Sequence, residues 1–549
     1  MPLAIPRRTV WLLAAVFTLL WFGSLDYRAL IKPDEGRYAE IAREMALSGD
    51  WITPRLNGIK YFEKPPLQYW ATAAAFRAFG ENEWTARLWP ALTGWLAILV
   101  VGFAGGRLFG PGAGLAAAAV LGSSLLAVVI GHFNVLDMGL TAFLTLALAG
   151  LLMANREASG PDAGRPWMLV TWAALALAVL SKGIVALVLA GGTLVLYSLL
   201  ARDLSPWRRL HPVAGTVVFL AVSAPWFVAV SLANPEFPRF FFIHEHFERF
   251  LTTGHRRTQP AWFFLPVLLA GALPWTFAML QAWWQEGRAD DARPFRPRLL
   301  LATWSVVVIG FFSLSGSKLP SYILPMFPAL ALLTAAWMVK ADGRRLFRHF
   351  AVAAAVAGVA AGLAPRVADR ADEETPRTMT SHYAEWLTGG AALAAGSFGI
   401  GALLARRGRR EWAFVAVAAG GVVAAQAVLL GHESLGESNS AKAVAARLAA
   451  SMRPDVPFYS VQTYDQTLPF YFHRTVTLVD YRDEMDFGLT QEPGLAVPDL
   501  AEFEDRWRRD ALAYALLAPG THAHLASRGL PMTVLARDGR RVIVSNRPQ

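Results

Sequence analysis

Long apolar segments recur along most of this chain and limit the folds that it can adopt. Each has about 17–25 residues, the length that a helix needs to cross the hydrocarbon core of a bilayer. Only 17% of the residues are charged, whereas a soluble domain carries roughly 25%. We therefore predict an α-helical polytopic membrane protein with about 13 transmembrane helices. The segments lie near residues 9–25, 86–106, 112–131, 134–153, 167–181, 183–201, 212–231, 261–284, 299–315, 320–340, 349–365, 386–405 and 411–430.

Arginines cluster in alternate links between these segments. The clusters fall within residues 202–209, 293–298, 344–348 and 406–410, and short loops rich in Lys and Arg face the cytoplasm. The net charge of +10 fits this orientation and contacts with anionic membrane lipids, so nucleic acid is not an expected partner. The chain has no cysteine, which excludes a disulfide framework, a thiol nucleophile and a cysteine–zinc site.

Four segments break the apolar pattern on the opposite side of the membrane. They are a first outer loop at 26–85, a second outer loop at 232–260, an acidic link at 365–385 and the tail after 431. The tail alternates helix-like and strand-like runs, and Asp538-Gly539 between two apolar runs is typical of a β-hairpin turn. We predict two domains, a transmembrane domain at 1–430 and a soluble α/β domain at 431–549.

The first outer loop opens with two adjacent acids, Asp34 and Glu35, directly after a proline. The following run has an apolar stripe at helical spacing and a glycine stop at Gly49. We predict a short amphipathic helix at the membrane interface that begins with these acids. Both are candidate catalytic residues. The alternative is that they only cap the helix and complement its dipole.

The second half of the same loop reads NGIKYFEKPPLQYW. Pro65 and Pro66 restrict the backbone, so the side chains of Glu63 and Lys64 keep their placement in an otherwise mobile loop. This pattern indicates a site. The alternative is a surface ion pair beside an aromatic interfacial belt.

The second outer loop alternates histidines and acids with phenylalanines. On a helix, His244 and Glu248 are four residues apart and share a face. Such a pair gives two ligands to a divalent ion but does not complete a tetrahedral site, so Glu63 or Asp34 is the expected further ligand. The alternative is an interfacial amphipathic helix with snorkelling polar residues and no metal, and for metal binding in particular this alternative is favoured. Arg249 makes this loop basic, which suits a phosphate.

Two smaller signals lie at the outer ends of apolar segments. Asp137 is costly at the edge of a membrane span unless it faces water or a partner, so it is a candidate functional residue. Lys318 and Tyr322 stand at the outer mouth of the span near 320–340, where they can donate to a phosphate or anchor the helix at the interface. Glycine-rich phosphate loops are absent from the sequence, so we expect no nucleotide cofactor.

These motifs occur in a familiar order: Asp34-Glu35, then YFEKPPLQYW, HEHFERF and SGSKLPSYILP. Together they resemble the bacterial polyprenyl-phosphate glycosyltransferases of the GT-C type, and among them the lipid A 4-amino-4-deoxy-L-arabinose transferase family, which is related to the protein O-mannosyltransferases. The resemblance covers roughly residues 1–430. It implies a GT-C fold, an undecaprenyl-phosphate-linked amino sugar as donor, a phosphate of lipid A as acceptor, and Asp34 as the catalytic acid.

The implied leaving group is a lipid phosphate, so positive charge must meet the negative charge that develops on it. We expect Lys64 and Arg249 to bind this phosphate, with Tyr322 as a hydrogen-bond donor and Lys318 as a further cation. Asp137 is the expected second carboxylate of the site. A lipid A phosphate is already anionic, so the catalytic acid orients the acceptor or stabilises the sugar rather than acting as a strong base.

We expect a monomer in the bacterial inner membrane whose site and tail face the periplasm. Transfer to lipid A would change the charge of lipopolysaccharide and give resistance to polymyxin and other cationic peptides. The alternative within the class is a protein O-glycosyltransferase, whose hydroxyl acceptor requires a true base. A lipid transporter or flippase is the alternative from another class, although its polar residues belong near the bilayer midplane. A membrane scaffold would leave the loop acids without a role.

Overall fold

The structure is a computed structural model that describes residues 6–156, 163–248, 259–289 and 295–548. Most of these residues are helical, and the tail adds a small sheet. The helices of the first half are α1 (Arg7–Gly23), α2 (Asp34–Ser48), α3 (Leu67–Phe79), α4 (Glu83–Phe109), α5 (Pro111–Ser123), α6 (Leu125–Gly131), α7 (Asp137–Arg156), α8 (Arg165–Lys182), α9 (Val185–Ala201), α10 (Ser205–Arg208) and α11 (Pro212–Ala233).

A π-helix (Arg239–Glu248) forms part of the second outer loop, and three short 3-10 turns flank the later apolar helices (Ala261–Phe263, Pro320–Met326 and Ala364–Arg370). The apolar helices of the second half are α12 (Phe264–Gly271), α13 (Thr276–Glu286), α14 (Pro297–Leu314), α15 (Phe327–Met338), α16 (Gly343–Leu363), α17 (Arg377–Arg406) and α18 (Arg410–Gly431).

Judged by helix length and composition, the described part of the chain contains fewer candidate membrane spans than the sequence predicts. Eight helices of the described part are long and apolar enough to cross a membrane, or ten if each of two bent pairs is one span. The pairs are α5 with α6, bent by 65°, and Ala261–Gly271 with α13, bent by 111°. Pro274 lies in the second bend and has no backbone N–H to continue the helix. Every predicted segment falls on a helix or a bent pair, and the figure of about 13 spans stays a prediction.

The tail begins with short helical elements and builds one mixed sheet. Its helical elements are His432–Leu435 (3-10), α19 (Gly436–Asn439), α20 (Lys442–Leu448), α21 (Leu468–Phe472), Asp483–Met485 (3-10), α22 (Asp486–Gln491), Pro493–Leu495 (3-10), α23 (Leu500–Arg509) and α24 (Pro519–Ser527).

The strands include a two-stranded hairpin in the first outer loop, β1 (Arg55–Leu56) and β2 (Ile59–Lys60), and six in the tail: β3 (Phe458–Val461), β4 (Thr477–Val479), β5 (Ala496–Val497), β6 (Tyr514–Leu517), β7 (Thr533–Arg537) and β8 (Val542–Ser545). The tail sheet has the order β5-β4-β3-β6-β8-β7. The strands β5, β4, β3 and β6 are parallel to one another, and β8 is antiparallel to both of its neighbours, β6 and β7. The α/β tail and its hairpin at Asp538 are therefore confirmed.

The first outer loop and the tail share one hydrophobic core. The predicted helix is present as α2, and it ends at Gly49, whose φ of 73° suits glycine. It does not lie open at the interface, because the tail covers it. A Cβ atom on Gly36 would stand 2.6 Å from the backbone oxygen of Gln466 in the tail. Close packing of this kind fixes where α2 and its first residues stand relative to the rest of the protein.

Candidate functional site

Asp34 is the first residue of α2 and is only partly buried, with 29% of its side chain exposed. One carboxylate oxygen accepts a hydrogen bond from Arg37 Nη1 at 2.9 Å. The other terminal nitrogen of Arg37 pairs with Glu484 of the tail. The predicted catalytic acid is therefore accessible, and its orientation depends on an arginine that the tail also holds.

Glu35, the second and less favoured of the two candidate catalytic acids, has a different environment from its neighbour. Its oxygens accept from Arg87 Nε at 2.7 Å and Nη2 at 2.9 Å, and both side chains are fully buried. Arg87 also donates to backbone oxygens of residues 25, 28 and 29. Because Arg87 occupies both carboxylate oxygens, the placement of Glu35 favours a structural role.

Two buried tyrosines of the first outer loop carry hydroxyl groups that have no hydrogen-bond partner within the described ranges. They are Tyr61, which follows β2, and Tyr69 of α3. Burial raises the pKa of both hydroxyls well above the usual tyrosine value, so they stay protonated and remain donors. Buried polar groups are normally satisfied. Two hydroxyl donors of the first outer loop are therefore available to a polar ligand.

Lys64 joins the first outer loop to the second. Its ammonium donates to the backbone oxygen of Glu63 at 2.7 Å and to Glu245 Oε2 at 3.0 Å, and it lies 3.9 Å from Glu63 Oε2. About a fifth of the side chains of Glu63 and Lys64 is exposed (20% and 18%). The predicted acid–base pair is therefore present and reaches solvent, and it is extended by an acid of the other loop.

His244 lies in the π-helix of the second outer loop, a helix type that often occurs at functional sites. Its ring stacks on Phe240 with centroids 5.3 Å apart. The predicted phosphate ligand Arg249 lies outside the described residues. Within those residues, no three His, Cys, Asp or Glu side chains come together as a metal-binding group.

Asp137, the predicted second carboxylate, begins α7 and pairs with Lys182 at the end of α8, with Nζ and Oδ1 2.5 Å apart. The same ammonium lies 4.5 Å from the ring centre of Tyr322. Lys318 is buried and donates to the backbone oxygen of Ser315 at 2.6 Å. The structure thus gives Asp137 and Tyr322 one common partner and places Lys318 apart, within its own turn.

The turn before α7 connects this cluster to the first outer loop. Asn134 donates its backbone N–H to Glu35 at 3.0 Å, and its side-chain oxygen accepts from Gln68 of α3 at 2.6 Å. Asn134 is fully buried. It therefore ties the start of α7, the start of α2 and the start of α3 together on one side of the bundle.

Sequence reasoning missed four residues of this site. Lys182 gave a usable signal, since it is a lone cation between two apolar segments. Tyr61 and Tyr69 belong to the same motif as Glu63 but read there as interfacial aromatics. Glu484 gave no signal, because its partner Arg37 is far away in the sequence.

Two family profiles match the chain. Residues 7–239 match the family described as dolichyl-phosphate-mannose-protein mannosyltransferase. Residues 444–546 match the aminoarabinose transferase C-terminal domain.

Curated relatives carry the name undecaprenyl phosphate-alpha-4-amino-4-deoxy-L-arabinose arabinosyl transferase. The relative from Aeromonas salmonicida is 36% identical over 350 residues, which cover 62% of this chain and 62% of the relative. The relative from Sodalis glossinidius, whose name carries the number 1, is 37% identical over 329 residues, which cover 59% of this chain and 58% of the relative. These alignments therefore span about three fifths of the relatives' length.

Two solved structures of ArnT from Cupriavidus metallidurans match over nearly the whole chain. The one bound to undecaprenyl phosphate has 39% identity and a TM-score of 0.94, and it covers 99% of this chain and 100% of the other. The apo structure has 40% identity and a TM-score of 0.93 with the same coverage. At this identity over its full length, the chain belongs to the ArnT family of GT-C glycosyltransferases.

Proposed function

We propose that this protein transfers 4-amino-4-deoxy-L-arabinose from undecaprenyl phosphate to a phosphate group of lipid A. The observation that carries the proposal is the end-to-end similarity to ArnT, which has been solved with undecaprenyl phosphate bound. The names of the curated relatives supply the sugar. The accessible Asp34 and the two unpartnered tyrosine hydroxyls of the same outer loop support a site for a charged, polar substrate.

The reaction exchanges one phosphate oxygen for another at the anomeric carbon of the sugar. An oxygen of the acceptor phosphate forms the new bond, and the bond to the donor phosphate breaks with its electron pair leaving on undecaprenyl phosphate. Asp34 orients the acceptor and stabilises the positive charge that develops on the sugar. Lys64 and Arg249 meet the charge on the leaving phosphate, and Tyr61 and Tyr69 donate hydrogen bonds to its oxygens.

The pair Asp137–Lys182 supports the site electrostatically. Lys182 is held between the carboxylate and the ring of Tyr322, so its position is fixed before a substrate arrives. Because the ammonium is already in place, no free energy is needed to reorient it when negative charge develops nearby. We assign Tyr322 to the same support and leave Lys318 as a further cation at the outer mouth.

Glu63 and His244 are the residues that would hold a divalent cation. Glu63 would offer a carboxylate oxygen to such an ion and His244 an imidazole nitrogen. When bound, such an ion neutralises negative charge on the leaving phosphate. Removing metal with a chelator should abolish transfer, and Glu63→Gln should lower the metal content of the purified protein. Unchanged transfer after thorough chelation would contradict this assignment.

We place the site and the tail on the periplasmic side of the bacterial inner membrane. The arginine clusters at 202–209, 344–348 and 406–410 support this orientation. Both substrates are then membrane lipids of the same leaflet. A cationic amino sugar on lipid A lowers its negative charge, which accounts for resistance to polymyxin. We propose that the protein acts as a monomer.

Mass analysis of lipid A from cells with and without the protein tests the proposal. We expect an added aminopentose on a phosphate, and Asp34→Asn should reduce it by roughly a hundredfold, the usual size for losing a group that stabilises charge in the transition state. Asp26→Asn, an exposed acid of the same loop, is the matched control and should retain the product. Unmodified lipid A together with a glycosylated membrane protein would favour the protein O-glycosyltransferase instead.

A further inference from the structure

One short segment of the tail, residues 483–491, inserts between the two outer loops; we call it the wedge. It consists of the turn Asp483–Met485 and α22. Its Glu484 pairs with Arg37 of the first loop. Its Gly488 packs so closely against the first-loop hairpin that a Cβ atom there would lie 2.4 Å from Ile59 Cγ2. The wedge therefore fits one position against the first loop.

Phe487 of the wedge contacts both outer loops at once. Its ring stacks on Phe240 of the second loop with centroids 3.9 Å apart and an interplanar angle of 26°. It also meets Phe62 of the first loop with centroids 5.9 Å apart. Phe62 precedes Glu63 in the chain, and Phe240 stacks on His244. One ring of the tail thus lies between the neighbours of two candidate site residues.

The two loops also contact each other directly, through the rings of Phe62 and Phe237, whose centroids lie 5.3 Å apart, and through ion pairs. Lys60 pairs with Glu236 at 2.7 Å, and Lys64 pairs with Glu245 at 3.0 Å. The two lysines and Glu236 are about a fifth exposed (18–21%), so salt screens these pairs and each contributes little. Aromatic stacking does not depend on salt in this way, and it adds stability beyond the area that it buries.

We propose that Phe487 is a positioning residue through which the tail holds the second outer loop against the first. Through Phe62 and Phe240 it fixes the positions of the neighbouring Glu63 and His244. The consequence for transfer rests on the proposed function, whereas the consequence for loop order does not. The tail then serves as the part that assembles the site from two loops that are distant in the sequence.

A spin label on the second loop tests this directly. The chain has no cysteine, so Ile243→Cys, at a side chain that is 48% exposed, gives a single labelling position beside His244. In the full-length protein we expect a restricted spectrum. Phe487→Ala should make the label several-fold more mobile, and Phe487→Tyr should restore restriction. Val534→Ala, at an exposed position on the tail sheet, is the control and should leave the spectrum unchanged.

Transfer assays on the same variants supply the second measurement. Phe487→Ala should raise the KM for the lipid-linked donor roughly tenfold, the size expected from losing two aromatic contacts, with a smaller change in kcat. If Phe487→Ala does not fold, Phe487→Leu keeps the apolar volume without the ring and takes its place.

An unchanged label spectrum in the folded Ala or Leu variant would overturn the proposal, even if transfer fell. Absence of transfer in the wild-type protein would instead contradict the proposed function, and the label result would still decide the role of Phe487.

Discussion

Lys182 at the end of α8 lies 2.5 Å from Asp137 at the start of α7, and both side chains are nearly buried, with 14% and 10% exposed. The ammonium also faces the ring of Tyr322 at 4.5 Å. Three separate elements thus meet at one cation. Because a buried pair is costly to break from one side, the two residues depend on each other.

Replacing both residues of this pair should destabilise the protein by less than the sum of the two single substitutions. Asp137→Asn and Lys182→Met each leave an uncompensated charge, so each should lower the free energy of unfolding by about 3 kcal/mol. Removing both partners should cost clearly less than the sum. Thermal unfolding in detergent gives the stabilities, and a transfer assay gives the activities. Strictly additive losses of stability would show that the two side chains do not act as a pair.

The buried Glu35–Arg87 pair should matter for folding rather than for chemistry. Glu35→Gln leaves the fully buried Arg87 without a carboxylate, and we expect a loss of about 3–5 kcal/mol in the free energy of unfolding. Asp34→Asn is the matched control; it breaks only a partly exposed pair and should change stability by less than about 1 kcal/mol. A Glu35→Gln protein that melts like the wild type yet transfers no sugar would make Glu35 a catalytic acid after all.

The orphan hydroxyls of Tyr61 and Tyr69 predict variants that bind poorly but fold well. Because neither hydroxyl has a partner in the described part of the chain, Tyr61→Phe and Tyr69→Phe break no internal hydrogen bond, and their melting temperatures should equal or exceed that of the wild type. Affinity for undecaprenyl phosphate should fall roughly tenfold, since a hydrogen bond to a charged group is lost. Reduced stability with unchanged affinity would indicate an internal partner instead.

A second acid pair in α2 predicts a pH-dependent stability. Burial, and then the neighbouring Glu40, raise the pKa of Glu44 from 4.5 to about 8. Glu44 accepts from the backbone N–H of Gly58 at 2.8 Å, and Arg43 pairs with Glu40 at 2.7 Å. The folded protein therefore holds the carboxyl proton of Glu44 more tightly than the unfolded chain does. Stability is therefore present at low pH and lost as the pH rises from 4.5 to about 8.

Glu44→Gln should remove this loss, because the amide cannot ionise. We expect its apparent melting temperature to exceed that of the wild type by roughly 2 °C or more at pH 8, and the advantage to shrink as the pH falls toward 5. Glu502→Gln, at a surface position of the tail, serves as the control and should track the wild type. An advantage that does not change with pH would contradict the raised pKa.

The sequence by itself determined the parts of this protein that follow from local patterns. Apolar length predicted the membrane helices, a glycine marked where α2 ends, and the run around Asp538 predicted the tail hairpin. It also directed attention to Asp34 and Lys64, because charged residues between apolar spans are conspicuous. Local pattern was sufficient in these cases because hydrogen bonding within one element or turn decides them.

Only the tertiary structure decided which of these charged residues are buried in ion pairs and which stay accessible. Asp34 and Glu35 are adjacent and alike in sequence, yet Glu35 is enclosed by Arg87, 52 positions later. Likewise, nothing near Phe487 in the sequence indicates that it stacks on Phe240. Burial and ion pairing depend on contacts between segments that are distant in the sequence, and those contacts exist only once the segments have packed together.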